Sequence, residues 1–263
     1  MDHPLPSLLL FAHGTSDGRG GAIAEGLAAA VRARPGGGGF GAVAACFDRQ
    51  SPTPAAAVAD LPPGPVVVVP LLASDGGIMR VTLPRRLAEA DAAGNGRHRF
   101  HLTGPLGLDP AVPGLAGGAV LTALAETGRA PEQATVLVLG HGSSRRPDSA
   151  QATRTLASAL QARHGFRRTI ALFLEEAPFI HDWPEVTGGE AAVAFPFFLS
   201  GGHHEERDLP RALAAPGGNT PRLLPALGRH PGLVDLICAR SNRTGWEAGG
   251  TRTISLETAS RLD

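Results

Sequence analysis

Residues 135–144 read TVLVLGHGSS, and residues 7–16 read SLLLFAHGTS. Each is an apolar run of strand length that stops at His-Gly and two hydroxyl residues, so a buried strand hands over to a tight turn. Further along, PLLASDGGIMRVTLP (70–84) aligns with PFFLSGGHHEERDLP (196–210) without a gap, at an offset of 126. The chain states one pattern twice, and self-similarity over such a span indicates a duplicated domain. At the aligned positions Ile78 faces His204, Thr82 faces Asp208 and Arg49 faces Glu175. Metal-ligating residue types stand in the second copy, inert or basic ones in the first.

Around these anchors, short β-type runs alternate with Ala/Leu/Arg-rich stretches of helical period, the pattern of a parallel sheet covered by helices. In the second copy the runs are 135–140, 168–174, 191–199 and 222–224. The clearest helix is 149–164, with Ala152, Leu156 and Leu160 on one face and Gly165 as its stop. The first copy repeats the order with runs at 8–12, 42–47 and 65–72 and helices at 22–34 and 83–93, while the glycine run 36–39 marks a loop. The expected fold is α/β: two similar domains with parallel sheets, related by internal duplication. Their junction falls in ETGRAPE (126–132), giving domains 1–128 and 129–243, and the polar, Gly/Thr/Ser-rich stretch 244–263 reads as a flexible tail.

Composition narrows the chemistry. With 24 basic and 24 acidic residues the net charge is zero, which argues against nucleic acid or a membrane surface as partner. No lysine occurs, so neither a phosphate-binding loop ending in Gly-Lys nor a lysine Schiff base is possible. The glycines at 36–41 lack the strand-to-helix context of a dinucleotide fingerprint, so no nucleotide or flavin is expected. Arginine as sole strong cation suits bidentate grips on carboxylates. Cys46 and Cys238 stand in no metal-type spacing and read as small core residues. The apolar run near the N-terminus is too short for a signal peptide or membrane span, which points to the cytoplasm.

In an open parallel sheet, ligands bind beyond the carboxyl ends of the strands. His141 follows the first strand of the second copy, Glu175 follows the second, and His204 lies a few residues after the third. Two imidazoles and a carboxylate on one edge suit divalent cobalt, iron, nickel or zinc, with coordination positions left open for a substrate. Glu176 is a rival for Glu175 and His203 flanks His204. Asp208 is either a partner that orients His204 or the N-cap of a helix beginning Asp-Leu-Pro. The turn Gly142-Ser143-Ser144-Arg145-Arg146 precedes a helix, so its amides, hydroxyls and guanidinium groups can meet an anion. Two further motifs are decoys. Gly140-His141-Gly142-Ser143-Ser144 displaces the serine of a nucleophile elbow by one position, and Arg163-His164-Gly165 is a helix end rather than a phosphatase motif.

The His-Gly-Ser turn (141–143), Phe-Leu-Glu-x-x-Pro (173–178) and the stretch 196–210 together resemble the class II chelatases, specifically sirohydrochlorin chelatases of the CbiX/SirB type. The last stretch is similar to the family's Pro-Leu-Phe-Leu-x-x-Gly-x-His-x-x-x-Asp-Ile-Pro, and weaker versions of all three in the first half extend the resemblance over about residues 1–240, as in the long, duplicated form. The resemblance implies two flavodoxin-like domains facing across a cleft. It maps the metal-handling histidines onto His141 and His204 and their acidic partner onto Glu175, with Gly142, Ser143, Ser144, Arg145, Gly202 and His13 toward the substrate. In the first half only His13 remains of the metal set, and Arg49, Arg80 and glycines 76–77 are candidates for substrate carboxylates.

The implied activity is insertion of a divalent metal, Co²⁺ ahead of Fe²⁺ or Ni²⁺, into sirohydrochlorin without ATP, in cobalamin synthesis. Loss of two pyrrole N–H protons would be assisted by neutral imidazoles. The alternatives are a ferrochelatase serving sirohaem, a non-catalytic cobalt or nickel carrier, and a metal-dependent hydrolase. Either a monomer or a homodimer is compatible with the duplication.

Overall fold

A computed structural model describes residues 5–15, 18–94, 96–143, 147–200, 207–214, 220–240 and 252–253. Strands β1 (Ser7–Ala12), β2 (Ala42–Phe47), β3 (Gly64–Pro70) and β4 (His98–Leu102) form one parallel sheet in the order β2-β1-β3-β4. Strands β5 (Thr135–Gly140), β6 (Arg168–Phe173), β7 (Ala192–Pro196) and β8 (Arg222–Leu223) form a second, in the order β6-β5-β7-β8. Both orders follow the flavodoxin-like doubly wound pattern, in which the chain reverses direction beside its first strand. The duplication is thus repeated in hydrogen bonding. Arg49 N–H donates to His13 O (3.0 Å) in the first sheet, and Glu175 N–H to His141 O (2.9 Å) in the second.

The central strands lack polar alternation because both of their faces are covered. In the first sheet Leu9, Phe11, Val66 and Val68 pack with Leu83 and Leu87 of α3 (Leu83–Ala93) and Ala57 and Val58 of α2 (Pro54–Ala59). Their neighbours Leu8, Leu10, Val67 and Val69 are equally buried, and α1 (Ala22–Arg32) packs against β1 and β2. In the second sheet Leu137, Leu139, Leu172 and Ala194 pack with Ile180, Trp183, Leu209 and Leu213, drawing in α6 (Trp183–Thr187) and α7 (Leu209–Leu213). The Trp183 indole N–H donates to Leu213 O at 3.1 Å, satisfying the one polar atom of that buried side chain. Helix α5 (Pro147–His164) lies against β5 and β6 and buries Ala152, Leu156 and Leu160, the face expected from their spacing. Cys46 is fully buried and its thiol pKa is pushed up by desolvation, as befits a core residue.

The compact units are not the two sequence halves. One takes the chain up to Leu106 and resumes at Pro231; the other is Gly107–His230. Helix α4 (Val112–Ala125) leaves the end of the first copy to pack on α5 and β7, and α8 (Gly232–Cys238) leaves the end of the second to pack on α1. The boundary at 128/129 marks where sequence similarity restarts, whereas the compact units divide according to where each helix buries its apolar face. Packing supplies the reason. Helix α4 is apolar almost all round, and a Cβ added at Gly117 would lie 2.0 Å from His164 Nε2, so only glycine lets α4 approach the end of α5 this closely. Arg222 on β8 also holds the end of α4, donating to Ala123 O (2.9 Å) and pairing with Glu126.

Three further differences from the sequence expectation concern local structure. The glycine run 36–39 takes left-handed φ values (+63°, +62°, +66° and +89°) within a single turn, which no other residue type would adopt cheaply. Within the stretch expected to be a flexible tail, Arg252–Thr253 pair antiparallel with β4 as β9, since β4 is an edge strand with open backbone groups. Asp208 precedes α7 in helical backbone conformation and its side chain makes no capping bond, so the N-cap reading is corrected. No helix among the described residues is long and apolar enough to cross a membrane.

Candidate functional site

The carboxyl edge of the second sheet is set by strand register. Gly140 on β5 lies opposite Phe173 on β6 and Leu139 opposite Pro196 on β7, so all three strands end level and their next residues leave the sheet together. His141 and Glu175 therefore emerge side by side. The His141 Nδ1 and Glu175 Oε2 atoms are 3.6 Å apart, with side chains 39% and 57% exposed, open to an incoming ion or ligand. Two donors on one ion with bonds of ~2.1 Å sit roughly 3–3.4 Å apart, so a shift of a few tenths of an ångström suffices to ligate both. His141 Nδ1 also lies 3.2 Å from Gly142 O, which accepts from it in the tautomer protonated there.

The turn that aims His141 is tightly determined. Gly142 adopts φ +70°, and an added Cβ would lie 2.8 Å from both Phe173 Cβ and Glu176 Cγ, so conformation and space each require glycine. One residue earlier, a Cβ at Gly140 would meet Thr153 Oγ1 at 2.2 Å, showing how closely α5 passes behind the strand end. Glu176 locks the turn from the other side. Its carboxylate, 16% exposed, accepts from Ser143 N–H at 3.1 Å and from Arg154 at 3.0 Å, while the Arg154 guanidinium lies 4.9 Å from the centre of the Phe173 ring. The two adjacent glutamates thus have opposite roles, Glu175 outward and Glu176 inward.

The sequence reading left Glu176 as a rival ligand and missed its partner Arg154, as well as Thr153 behind Gly140. One signal was available: Gln50 stands 126 residues before Glu176, and Thr15 N–H donates to Gln50 Oε1 at 3.0 Å, the same bond in the first copy. The Ser143 amide, read as open to an anion, is engaged by Glu176. His204, Gly202, Ser144 and Arg145, together with His203 and Arg146, lie outside the described residues. Among the described residues no group of three or more His, Cys, Asp or Glu side chains converges.

The corresponding edge of the first sheet carries different chemistry. His13 Nδ1 lies 3.5 Å from Asp48 Oδ2, and the other Asp48 oxygen is 3.6 Å from Arg86 Nε, so this carboxylate is held between a histidine and a guanidinium. Arg49 occupies the place of Glu175 and is exposed. Beyond β3, a π-helical turn, Ile78–Thr82, leads into α3, with Ile78 at the position aligned with His204.

Comparison with known proteins agrees with both halves. The CbiX family model matches residues 7–120 and again 135–244. A probable sirohydrochlorin cobaltochelatase of Halobacterium salinarum is 26% identical over 193 residues, 66% of this chain and 65% of its own length, so the chain spans just under two thirds of that relative. Among solved structures, CbiX, described as the terminal enzyme of sirohaem biosynthesis in denitrifying bacteria, superposes with a TM-score of 0.70 at 27% identity, over 89% of this chain and 96% of its own. A multi-domain Deinococcus radiodurans protein with structural similarity to chelatases superposes at 0.71 and 25% identity, over 97% of this chain and 58% of its own. With its sequence pattern matched in both copies and its sheet order repeated in both, the chain belongs to the CbiX family.

Proposed function

We propose that this protein is a sirohydrochlorin chelatase that inserts a divalent metal ion into the macrocycle without ATP, the second half holding the metal. The observation that carries the reading is the pairing of His141 with Glu175 at 3.6 Å on an open sheet edge, set against Arg49 at the equivalent position of the first half. A cation is attracted to one edge and repelled from the other. His204, aligned with Ile78 and a few residues past β7, is the third proposed ligand. The family membership and the names of the relatives support the substrate.

Chemically, insertion removes two pyrrole N–H protons and exchanges protein ligands for ring nitrogens. A mixed set of neutral imidazoles and one carboxylate binds a divalent ion while leaving positions open, which allows stepwise exchange. As the metal leaves, the freed imidazoles and Glu175 are bases at the right place to take the protons. Gly142, Ser143, Ser144, Arg145 and Gly202 border this site in sequence, and His13 is the remaining histidine of the first half; we assign them to the substrate. Co²⁺ is the favoured metal, supported by the cobaltochelatase name of the Halobacterium salinarum relative, and with it we assign the reaction to cobalamin synthesis. Fe²⁺ for sirohaem is the second reading, favoured by the description of the solved CbiX enzyme. Ligand type alone does not rank these ions.

The test is anaerobic mixing of the purified protein with sirohydrochlorin and Co²⁺, Fe²⁺ or Ni²⁺, following the visible spectrum of the macrocycle beside a His204→Ala variant. Metal-dependent conversion well above the variant is the expected result, and the fastest ion identifies the physiological metal. Tight metal binding with no acceleration for any ion would contradict the assignment and leave a metal carrier.

A further inference from the structure

Strand β4 ends the parallel part of the first sheet, and its outer edge needs a partner. Beyond Leu102 the chain runs into α4, which packs on α5 and β7, so among the described residues no fifth parallel strand covers this edge. A row of open backbone donors and acceptors is a template for another strand, from the same chain or from a second molecule. Two residues already occupy one end of it: Arg252 lies opposite Leu102 and Thr253 opposite His101, antiparallel. Arg240 holds the chain close by. Its guanidinium donates to Gly104 O at 2.9 Å and to the Thr103 hydroxyl, both just past the end of β4. Residues 241–251 therefore leave from the carboxyl end of β4 and return to it, and the chain then runs down the open edge toward His98.

Carried on in the same register, Ile254 falls opposite Phe100, Ser255 opposite Arg99, Leu256 opposite His98 and Glu257 opposite Arg97. Residues directly opposite in an antiparallel pair share a face of the sheet. His98 and Phe100 are on the buried face of β4, where Phe100 packs with Leu83 and Leu87 of α3. Arg97 and Arg99 are exposed and have no acidic partner among the described residues. The two apolar residues of the segment thus meet the apolar side of β4, and its one acid meets a guanidinium. A slip of one residue would turn Ile254 and Leu256 to the solvent face, so the pattern specifies this register. We propose that residues 252–257 dock along β4 as a full edge strand, with Ile254 and Leu256 beside Phe100 and His98 and Glu257 paired with Arg97, and that this segment closes the first sheet against a second copy of the chain.

The register is tested by cross-linking the full chain in a Cys238→Ser background, the other cysteine, Cys46, being fully buried. Arg99→Cys combined with Ser255→Cys joins two positions set opposite each other on the solvent face, with Cβ atoms about 4.5–5.5 Å apart. Arg99→Cys combined with Ile254→Cys is the control, because its two side chains point to opposite faces. A short bifunctional thiol reagent should link the first pair within one chain and leave the control unlinked, as mapped by peptide mass spectrometry. Separately, Ile254→Asp combined with Leu256→Asp should speed amide exchange at residues 99–102 about tenfold and raise self-association in sedimentation above that of the wild type. A first pair that links no better than the control would overturn the inference. Links formed only between chains would give the edge to a second copy's segment and overturn it equally. Self-association unchanged in the double aspartate variant would overturn the closing role.

Discussion

Adjacent residues of one type can serve opposite purposes, and Glu175 and Glu176 show how. The sequence places both at a strand end and offers no ground for choosing, because the choice depends on which carboxylate meets the Ser143 amide and Arg154. His141 was legible, since a histidine directly after a buried apolar run in a parallel sheet must leave the sheet at its binding edge. The inward glutamate was not, because its partners are 22 and 33 residues away in the chain. Separate outcomes follow. Glu175→Gln should weaken Co²⁺ binding about tenfold with an unchanged melting temperature. Glu176→Ala should cost about 1–3 kcal/mol of stability in denaturant unfolding by leaving the Ser143 amide and Arg154 without their shared acceptor. Gly142→Ala combines the two defects: a φ of +70° and a Cβ 2.8 Å from Phe173 and Glu176 should cost about 1–3 kcal/mol and misaim His141, lowering metal affinity as well.

Strands and the longer helices were readable because their periods and lengths are distinctive. The helix from Leu83 to Ala93 and the strands Ala42–Phe47 and Thr135–Gly140 coincide with the runs seen in the sequence. Others were silent for stated reasons. Helix α2 has only six residues, mostly alanine, and β4 (HRFHL) is a polar-apolar mixture on an edge strand. Helix α4 is apolar on every side, so no amphipathic stripe told where it belongs. Its placement rests on Gly117 against His164, and Gly117→Ala should push that ring aside, costing about 1–3 kcal/mol and several degrees of melting temperature. Strand β4 also carries a titration. The pKa of His101 is lowered by burial and by the neighbouring Arg99, and burial lowers that of His230 too. In each case the unfolded chain takes up protons at a higher pH than the folded one, so this stability is present above about pH 6.5 and is lost as pH falls toward the folded values. Thermal melts between neutral and mildly acid pH should show that loss, and His101→Gln should reduce it.

The duplication itself was the strongest signal in the chain, and the fold follows from it: the same sheet order twice, with the same backbone bonds at the strand ends. What the repeat concealed is that the last helix of each copy packs within the unit built mainly from the other copy. A repeat shows where ancestry restarts; only packing shows which surface an apolar helix covers. The functional consequence is asymmetry. Two copies of one scaffold present a histidine and a glutamate on one edge, and a histidine, an aspartate paired with Arg86, and the exposed Arg49 on the other. The number of metal ions bound per chain is therefore decisive, measured by equilibrium dialysis with Co²⁺ on the wild type and on His141→Ala. The account predicts one tightly bound ion in the wild type and none in the variant. Two ions per chain, or one that survives the loss of His141, would contradict it.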